Sequence, residues 1–551
     1  MNADLILYNL AAFTPERFAS SCGTEFSGSP LPPPSPSALR LSKGGGCSGH
    51  SPGTGPIIAI KDGRIIYVGD RSARPSLAGP YTKLVDCQGA TVIPGFNDAH
   101  CHPVAFAMTT RYVDCSPPHV RNIADLVDAL RSRAADTRPG NWLRAANCDP
   151  ATLAERRLPT RWELDRASPV HPVIVVERSG QHCVLNSRAL TQCGIDESAG
   201  PSDAGTIHRD PASGRINGIV SGNHAQVAAA LPPLSADEIE AGLRAADRAF
   251  LESGVTTLQD TSWSNTPAHW QAMADYKERG LLRPRVSLCA GADSVGAFAE
   301  QGLRTGSVHP GCDPDMLRLG AAKIALDESN GDPDPPQELL DATALAAHRA
   351  GFQLAFHVPD LALLHRSLNT LALLDGAGLS PRLRPRFEHC PACPPEWLDR
   401  LAASGALVVA QPALLPLAAP ALHARAPDPM QPALFPFRSF LRHRIPLAFG
   451  SDAPLVPCAP LEGLKAAVTR CDGDGRAVSA EEAIPLPDAL RLYTWGGASA
   501  AGDEDATGTI EAGRRADLVV IEGAGDWATA DDLARAQVVM TLIGGRIVWA
   551  R

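Results

Sequence analysis

The chain has 551 residues, 44% of them hydrophobic and 20% charged, a make-up that suits one large folded domain with a smaller one. Its net charge of −10 is mild for this length and leaves no basic stripe, which excludes the usual footprint of a nucleic-acid partner. The opening residues MNADLILYNLAAFTPERF lack a cationic run ahead of an apolar core, and the fourteen cysteines are scattered; a reduced, cytoplasmic setting is expected.

Taken in chain order, residues 4–10 and 57–69 read as strands, the second pair folded at a Lys-Asp-Gly-Arg hairpin turn. Between them, 19–55 is dominated by Ser, Gly and Pro, a composition that cannot bury a core and is expected to form a disordered insertion. Next comes VIPGFNDAHCHP, read as a strand over 92–100 that ends in His100 and His102. Side chains at i and i+2 of an extended strand share a face, so the two imidazoles can converge on one metal ion. A lone His-x-His pair reads equally well as solvated or hydrogen-bonded, and the rest of the chain must decide.

From there the pattern alternates strand and helix, as in a parallel sheet with crossover helices. The expected strands are 92–100, 255–260, 285–290, 319–327, 353–358, 386–390, 406–411 and 446–452, with helices over 236–253, 336–350 and 395–403 among them. Eight such strands make the count of a TIM (β/α)8 barrel, spanning 92–500. Residues 103–250 are too many for one crossover and should form an elaborated insertion after the first strand. The apolar run 401–422 is long enough to span a bilayer, but Gln411, Pro412, Pro416 and Pro420 interrupt it, so a buried strand followed by an apolar loop is expected and no membrane span. Short strands at 516–521 and 538–548 repeat the N-terminal character. Residues 1–91 and 501–551 are therefore expected to build one small β domain from both chain ends.

The strand ends carry the chemistry. After His100 and His102, the fourth strand holds Lys323 in an apolar run; the fifth ends in His357, the sixth in His389 and the eighth in Asp452. Barrel active sites lie at the C-terminal ends of the strands, so these groups would share one bowl. Singly, each histidine has a bland reading as a loop hydrogen-bonder, and Asp452 as a turn or helix cap. The unpaired CxxC of Cys390 and Cys393 is read as neither metal nor redox centre. Lys323 is different: an ammonium buried among apolar residues is costly without a partner, which favours the neutral amine. A neutral amine reacts with carbon dioxide to a carbamate, an anionic ligand able to bridge two metals.

The ordered set VIPGFNDAHCHP, NWLRAANCDP, SGQHCVLNSRAL, GVTTLQD, KIALD, RFEHC, FGSDAP and GTIEAGRRADLVVI resembles the amidohydrolase superfamily, specifically its YtcJ-like branch (the amidohydrolase-3 group). The resemblance covers nearly the whole chain outside 19–55 and implies a TIM barrel with a small β-sandwich domain built from both chain ends. It implies further that His100, His102 and Asp452 hold the more buried metal, with Asp452 also the general base. A carboxylated Lys323 would bridge to a second metal on His357 and His389. Zinc is the usual ion, as one or two ions, with other divalent metals as alternatives. Trp142, Asp149 and His182 resemble segments that lie over the substrate pocket in this branch.

The chain departs from the branch at three places. His357-Val358-Pro359-Asp360 is one residue short of the usual sequence, Asp327-Glu328 replaces Asp-Gly, and an acidic residue common near Gly222 is missing; every implied metal ligand is kept. The resemblance implies a metal-dependent hydrolase that cleaves a non-peptide C–N bond, an amide or an N-acyl or N-formyl group of a small molecule, by attack of metal-bound hydroxide. A deaminase, decarboxylase or isomerase on the same scaffold, and a non-catalytic metal-binding barrel, remain alternatives. A homodimer is the default oligomeric state.

Overall fold

Alternation with a period of two decides where the chain ends go. Leu5 and Leu7 face one core with Ile58 and Ile60, while Ile6 faces another with Ile57 and Ala59. In the computed structural model these strands, Leu5–Tyr8 and Ile57–Lys61, join Arg64–Gly69 and Lys83–Asp86 in one four-stranded sheet. A second sheet holds Thr91–Pro94, Leu518–Glu522, Gln537–Ile543 and Arg546–Ala550. Val92, Leu518, Val520 and Leu542 of the second sheet share the core of Leu5 and Ile58, so the two pack as a sandwich made from both ends of the chain. Positive φ at Asp62 (49°) and Gly63 (75°), and again at Gly544 and Gly545, gives the tight hairpins that the turn sequences call for.

The described residues are 2–10, 56–178, 180–199, 206–222, 225–329, 332, 334–379, 383–417, 434–472, 475–523 and 530–551; the expected insertion at 19–55 lies outside them. The chain divides into two units, residues 1–102 with 247–551, and residues 103–246.

Besides the sandwich, the first unit contains eight parallel strands, hydrogen-bonded in chain order. They are β1 (Phe96–Cys101), β2 (Val255–Asp260), β3 (Arg285–Gly291), β4 (Leu317–Ile324), β5 (Leu354–Val358), β6 (Arg386–His389), β7 (Leu407–Ala410) and β8 (Leu447–Phe449). Backbone N–H groups close the ring just past β8: Asp452 donates to the His100 carbonyl at 2.7 Å and His102 to that of Ala453 at 2.8 Å. This is a TIM barrel.

One expectation is corrected. The run 92–100 is two strands, Thr91–Pro94 in the sandwich and β1 in the barrel, with the break at Gly95. A Cβ at Gly95 would stand 2.1 Å from Thr256 Oγ1, so only glycine lets the chain change sheets there. The apolar run after Arg400 ends the helix Pro395–Ala403 and then forms β7; its 418–422 part lies outside the described residues. Among the described residues no helix is long and apolar enough to cross a membrane.

The second unit is built on a six-stranded sheet in the order 206–209, 216–221, 182–185, 173–177, 143–148, 113–114. One face buries Val173, Val175 and Val184 and the other Ile174, Cys183 and Leu185.

Candidate metal centre

Every predicted ligand in the barrel falls at or just beyond a strand's C-terminal end. His100, near the end of β1, is fully buried, and its Nδ1 lies 2.6 Å from Glu388 Oε2. A carboxylate only accepts, so Nδ1 carries the proton and Nε2 is bare. That Nε2 has no hydrogen-bond partner and stands 3.5 Å from Asp452 Oδ1. A buried lone pair facing a carboxylate is costly unless something positive joins them.

The neighbours repeat the arrangement. His102 Nε2 is 3.1 Å from the same Asp452 Oδ1, and its Nδ1 is 3.0 Å from Ser262 Oγ. At the end of β6, His389 Nδ1 donates to Gln411 Oε1 at 3.0 Å, which turns its bare Nε2 to His357 Nδ1 at 3.1 Å. The Gln411 amide is itself oriented, because its Nε2 donates to the Val409 carbonyl. His357 Nε2 lies 3.4 Å from Asp327 Oδ2. His389 and Asp452 have φ of 74° and 63°, left-handed values that break strand alternation and turn successive side chains inward. Below Asp452, Ser451 donates through its N–H and Oγ to buried Asp98, at 2.8 and 2.6 Å, and so ties the end of β8 to β1.

Burial, then the charge of Lys323, holds His100 and His357 well below the usual histidine range. Burial also lowers His389, against the pull of Asp452. His102 goes the other way, because the hydrogen bond and charge of Asp452 outweigh burial. For Asp452 burial works upward, yet the His102 bond and the nearby histidines carry it far below the carboxylate range. The imidazoles of His100, His102 and His389 thus face the Asp452 carboxylate, the donor set of a divalent ion of intermediate softness. Among the described residues His100, His389 and Asp452 can bring ligand atoms within 4.8 Å of one another. The bare Nε2 of His100 makes the fit specific rather than compositional.

The structure gathers His100, His102, His357, His389 and Asp452, with Lys323 of β4 only 2% exposed and its charge bearing on all four histidines. The His100 ring is nearer that of His389 (4.6 Å between centroids) than that of His102 (5.4 Å). The other three predicted residues belong to the second unit. Trp142 packs against the Ile174 and Cys183 face of its sheet. Asp149 pairs with Arg178 at 3.4 Å and accepts from the Ala151 N–H. His182 pairs in register with Ser221, on the sheet face opposite that of Cys183 and Trp142. Where the branch commonly has an acidic residue, Ser221 Oγ lies 2.6 Å from both His182 Nδ1 and His208 Nε2. Asp360, in the shortened segment, caps the helix Leu361–Gly376 by accepting from the Leu363 N–H. Sequence reasoning missed Asp98, Glu388, Arg386, Gln411 and Ser262. The available signal for Glu388 and Arg386 was charge within a short barrel strand, which is costly to bury unpaired.

A parallel barrel with this donor set at its strand ends defines a metal-dependent hydrolase. The sequence profile of the Amidohydrolase family matches residues 83–549; the chain belongs to that family, in its YtcJ-like branch, and hydrolyses carbon–nitrogen bonds of small molecules. It is 28% identical over 524 residues to the N-substituted formamide deformylase of Arthrobacter pascens, a match covering 90% of this chain and 95% of that protein. It is 24% identical over 523 residues to the putative amidohydrolase YtcJ of Bacillus subtilis strain 168, covering 90% and 96%. A metal-dependent hydrolase from Pyrococcus horikoshii OT3 shares the fold, with a TM-score of 0.64 at 20% identity over 85% of this chain and 93% of that one.

Proposed function

We propose that the protein is a zinc-dependent hydrolase of a small amide, an N-acyl or N-formyl amine. The observation that carries this is the buried, bare Nε2 of His100 turned towards Asp452. The likeness to a protein named N-substituted formamide deformylase supports the substrate class. His100, His102 and Asp452 would hold one ion, and Lys323 as its carbamate, with His357 and His389, a second. Bound zinc supplies a Lewis acid for the carbonyl and lowers the pKa of water to about 7.

The chain's own groups do the rest. Asp452 is ionised and close to two imidazoles, so its carboxylate can take a proton from the attacking water and return it to the leaving nitrogen. Gln411 and Ser262 orient the imidazoles of His389 and His102 through their second nitrogens. Trp142, Asp149 and His182 are proposed as substrate contacts on the strength of the family resemblance.

The test uses protein stripped with a chelator and reloaded with Zn2+, assayed against N-formyl and N-acyl amines by release of formate or carboxylate. Hydrolysis restored by metal is the expected result. Equal turnover with and without metal, or no cleavage of any member of the panel, would overturn the proposal.

A further inference from the structure

A buried polar chain runs through the barrel from the candidate centre, and its first link has no assigned role. His100 and Glu388 are both inaccessible to solvent, and Nδ1 of the first meets Oε2 of the second at 2.6 Å. The other carboxylate oxygen, Oε1, accepts from Arg386 Nε at 2.7 Å. Arg386, 1% exposed, also donates to Gln259 Oε1 at 2.5 Å and to the Ala99 carbonyl at 2.8 Å. Gln259 in turn donates to Asn97 Oδ1 at 2.9 Å and to the Gly497 carbonyl at 2.7 Å. Residues of β1, β2 and β6 are thereby locked to one another through side chains alone.

We propose that Glu388 is a positioning residue for the metal. Its carboxylate takes the Nδ1 proton of His100, selects the tautomer with Nε2 bare and aims that nitrogen into the site; Arg386 holds the carboxylate in place. The inference rests on the metal-dependent reading above.

Two observations favour this over a stabilising role alone. A buried ion pair is seldom worth more than an apolar pair of the same volume, so stability gives little reason for Arg386 and Glu388 to stand inside a barrel. Among the described residues the Glu388 carboxylate hydrogen-bonds to the Arg386 and His100 side chains, and Arg386 is occupied on several sides. What the pair adds is a carboxylate acceptor held in a fixed place under one imidazole. The left-handed φ of His389 completes the device: it lets Glu388 and His389, neighbours in sequence, both serve the bowl. One strand end thus orients His100 from beneath and sets a second imidazole 4.6 Å from it.

The experiment compares wild type, Glu388→Gln and the paired substitution Arg386→Met with Glu388→Met, which leaves no unpaired buried charge. Three quantities are read: ring-nitrogen NMR of 15N-histidine in metal-free protein, Zn2+ affinity by competition with a chromophoric chelator, and thermal unfolding. In metal-free wild type the His100 imidazole, assigned by its absence from the spectrum of His100→Asn, should hold its proton on Nδ1 and be protected from exchange. The paired variant should lose that signal and bind zinc about 10–100-fold more weakly while still unfolding in one cooperative thermal transition. Gln keeps a carbonyl acceptor without the charge, so its loss should be smaller, about 3–10-fold.

Zinc affinities within about twofold of wild type in folded variants would overturn the proposal, as would an Nε2-protonated His100 in the wild type. If the paired variant does not fold, Glu388→Gln decides by the same zinc criterion. Failure of wild type to bind zinc would sink the metal-dependent reading instead, and the tautomer measured without metal would still decide the role of Glu388.

Discussion

Asp452 and His102 share a hydrogen bond of 3.1 Å between Oδ1 and Nε2, and the same oxygen stands 3.5 Å from His100 Nε2. One carboxylate oxygen therefore answers two imidazoles that project from the same strand end. Their i, i+2 spacing on β1 makes this convergence unavoidable once β8 delivers Asp452.

Replacing Asp452 with Asn keeps the volume and removes the base. Turnover should fall by about 10²–10⁴-fold, the usual contribution of a positioned general base, with an unchanged circular dichroism spectrum. Near-wild-type kcat in the variant would remove Asp452 from the chemistry.

Lys323 is buried beside four imidazoles, which suits an anionic carbamate better than an ammonium. Lys323→Ala should reduce turnover to background, and added formate, acetate or propionate should restore part of it by filling the space with a carboxylate. Full activity without any added acid would rule out a bridging role.

Gly450 gives β8 its close approach to β1. A Cβ there would lie 2.4 Å from the His100 amide nitrogen and 2.9 Å from its Cβ, with backbone on one side and a ligand on the other. Gly450→Ala should cost about 1–3 kcal/mol in urea unfolding and lower the zinc content of the purified protein. A variant equal to wild type in both would mean the strands can part without disturbing His100.

Glu163 tests the electrostatics of the second unit. Burial would raise its carboxyl, but hydrogen bonds from Arg157 and Thr160 outweigh that and bring it down from 4.5 to about 2. A depressed carboxyl stabilises the fold above its unfolded value and loses that stabilisation as pH falls through the folded one. Because Arg157 is largely exposed, the contribution is discounted for solvent screening, and Glu163→Gln should cost about 1 kcal/mol near neutral pH. The gap between variant and wild type should stay flat down to about 4.5 and close towards 2. A gap independent of pH would locate the effect in packing instead.

Much of this site could be read from the chain because barrel chemistry is written at strand ends. His357 and Asp452 each close a short apolar run and His389 ends a barrel strand, positions that make a polar residue conspicuous. What could not be read depends on backbone angles that composition does not encode. Glu388 precedes His389 directly, and ordinary alternation sends neighbours to opposite faces; only the φ of 74° places both towards the centre. The change of sheet at Gly95 was hidden for a related reason, since the apolar residues on either side serve two different cores. Asp360 looked like a variant site residue and is a helix cap, a distinction that rests on where the Leu363 amide points.

The strand Thr91–Pro94, one glycine ahead of β1, pairs with Leu518–Glu522 far along the chain. During synthesis the segment leading into His100 therefore waits for its partner until all eight barrel strands have been made. Contacts that distant form late, because the loop they close must be ordered first. The anchor of the strand that carries the proposed ligands is made after every barrel strand, so loss of Leu518–Glu522 should strike metal binding as well as the sandwich itself.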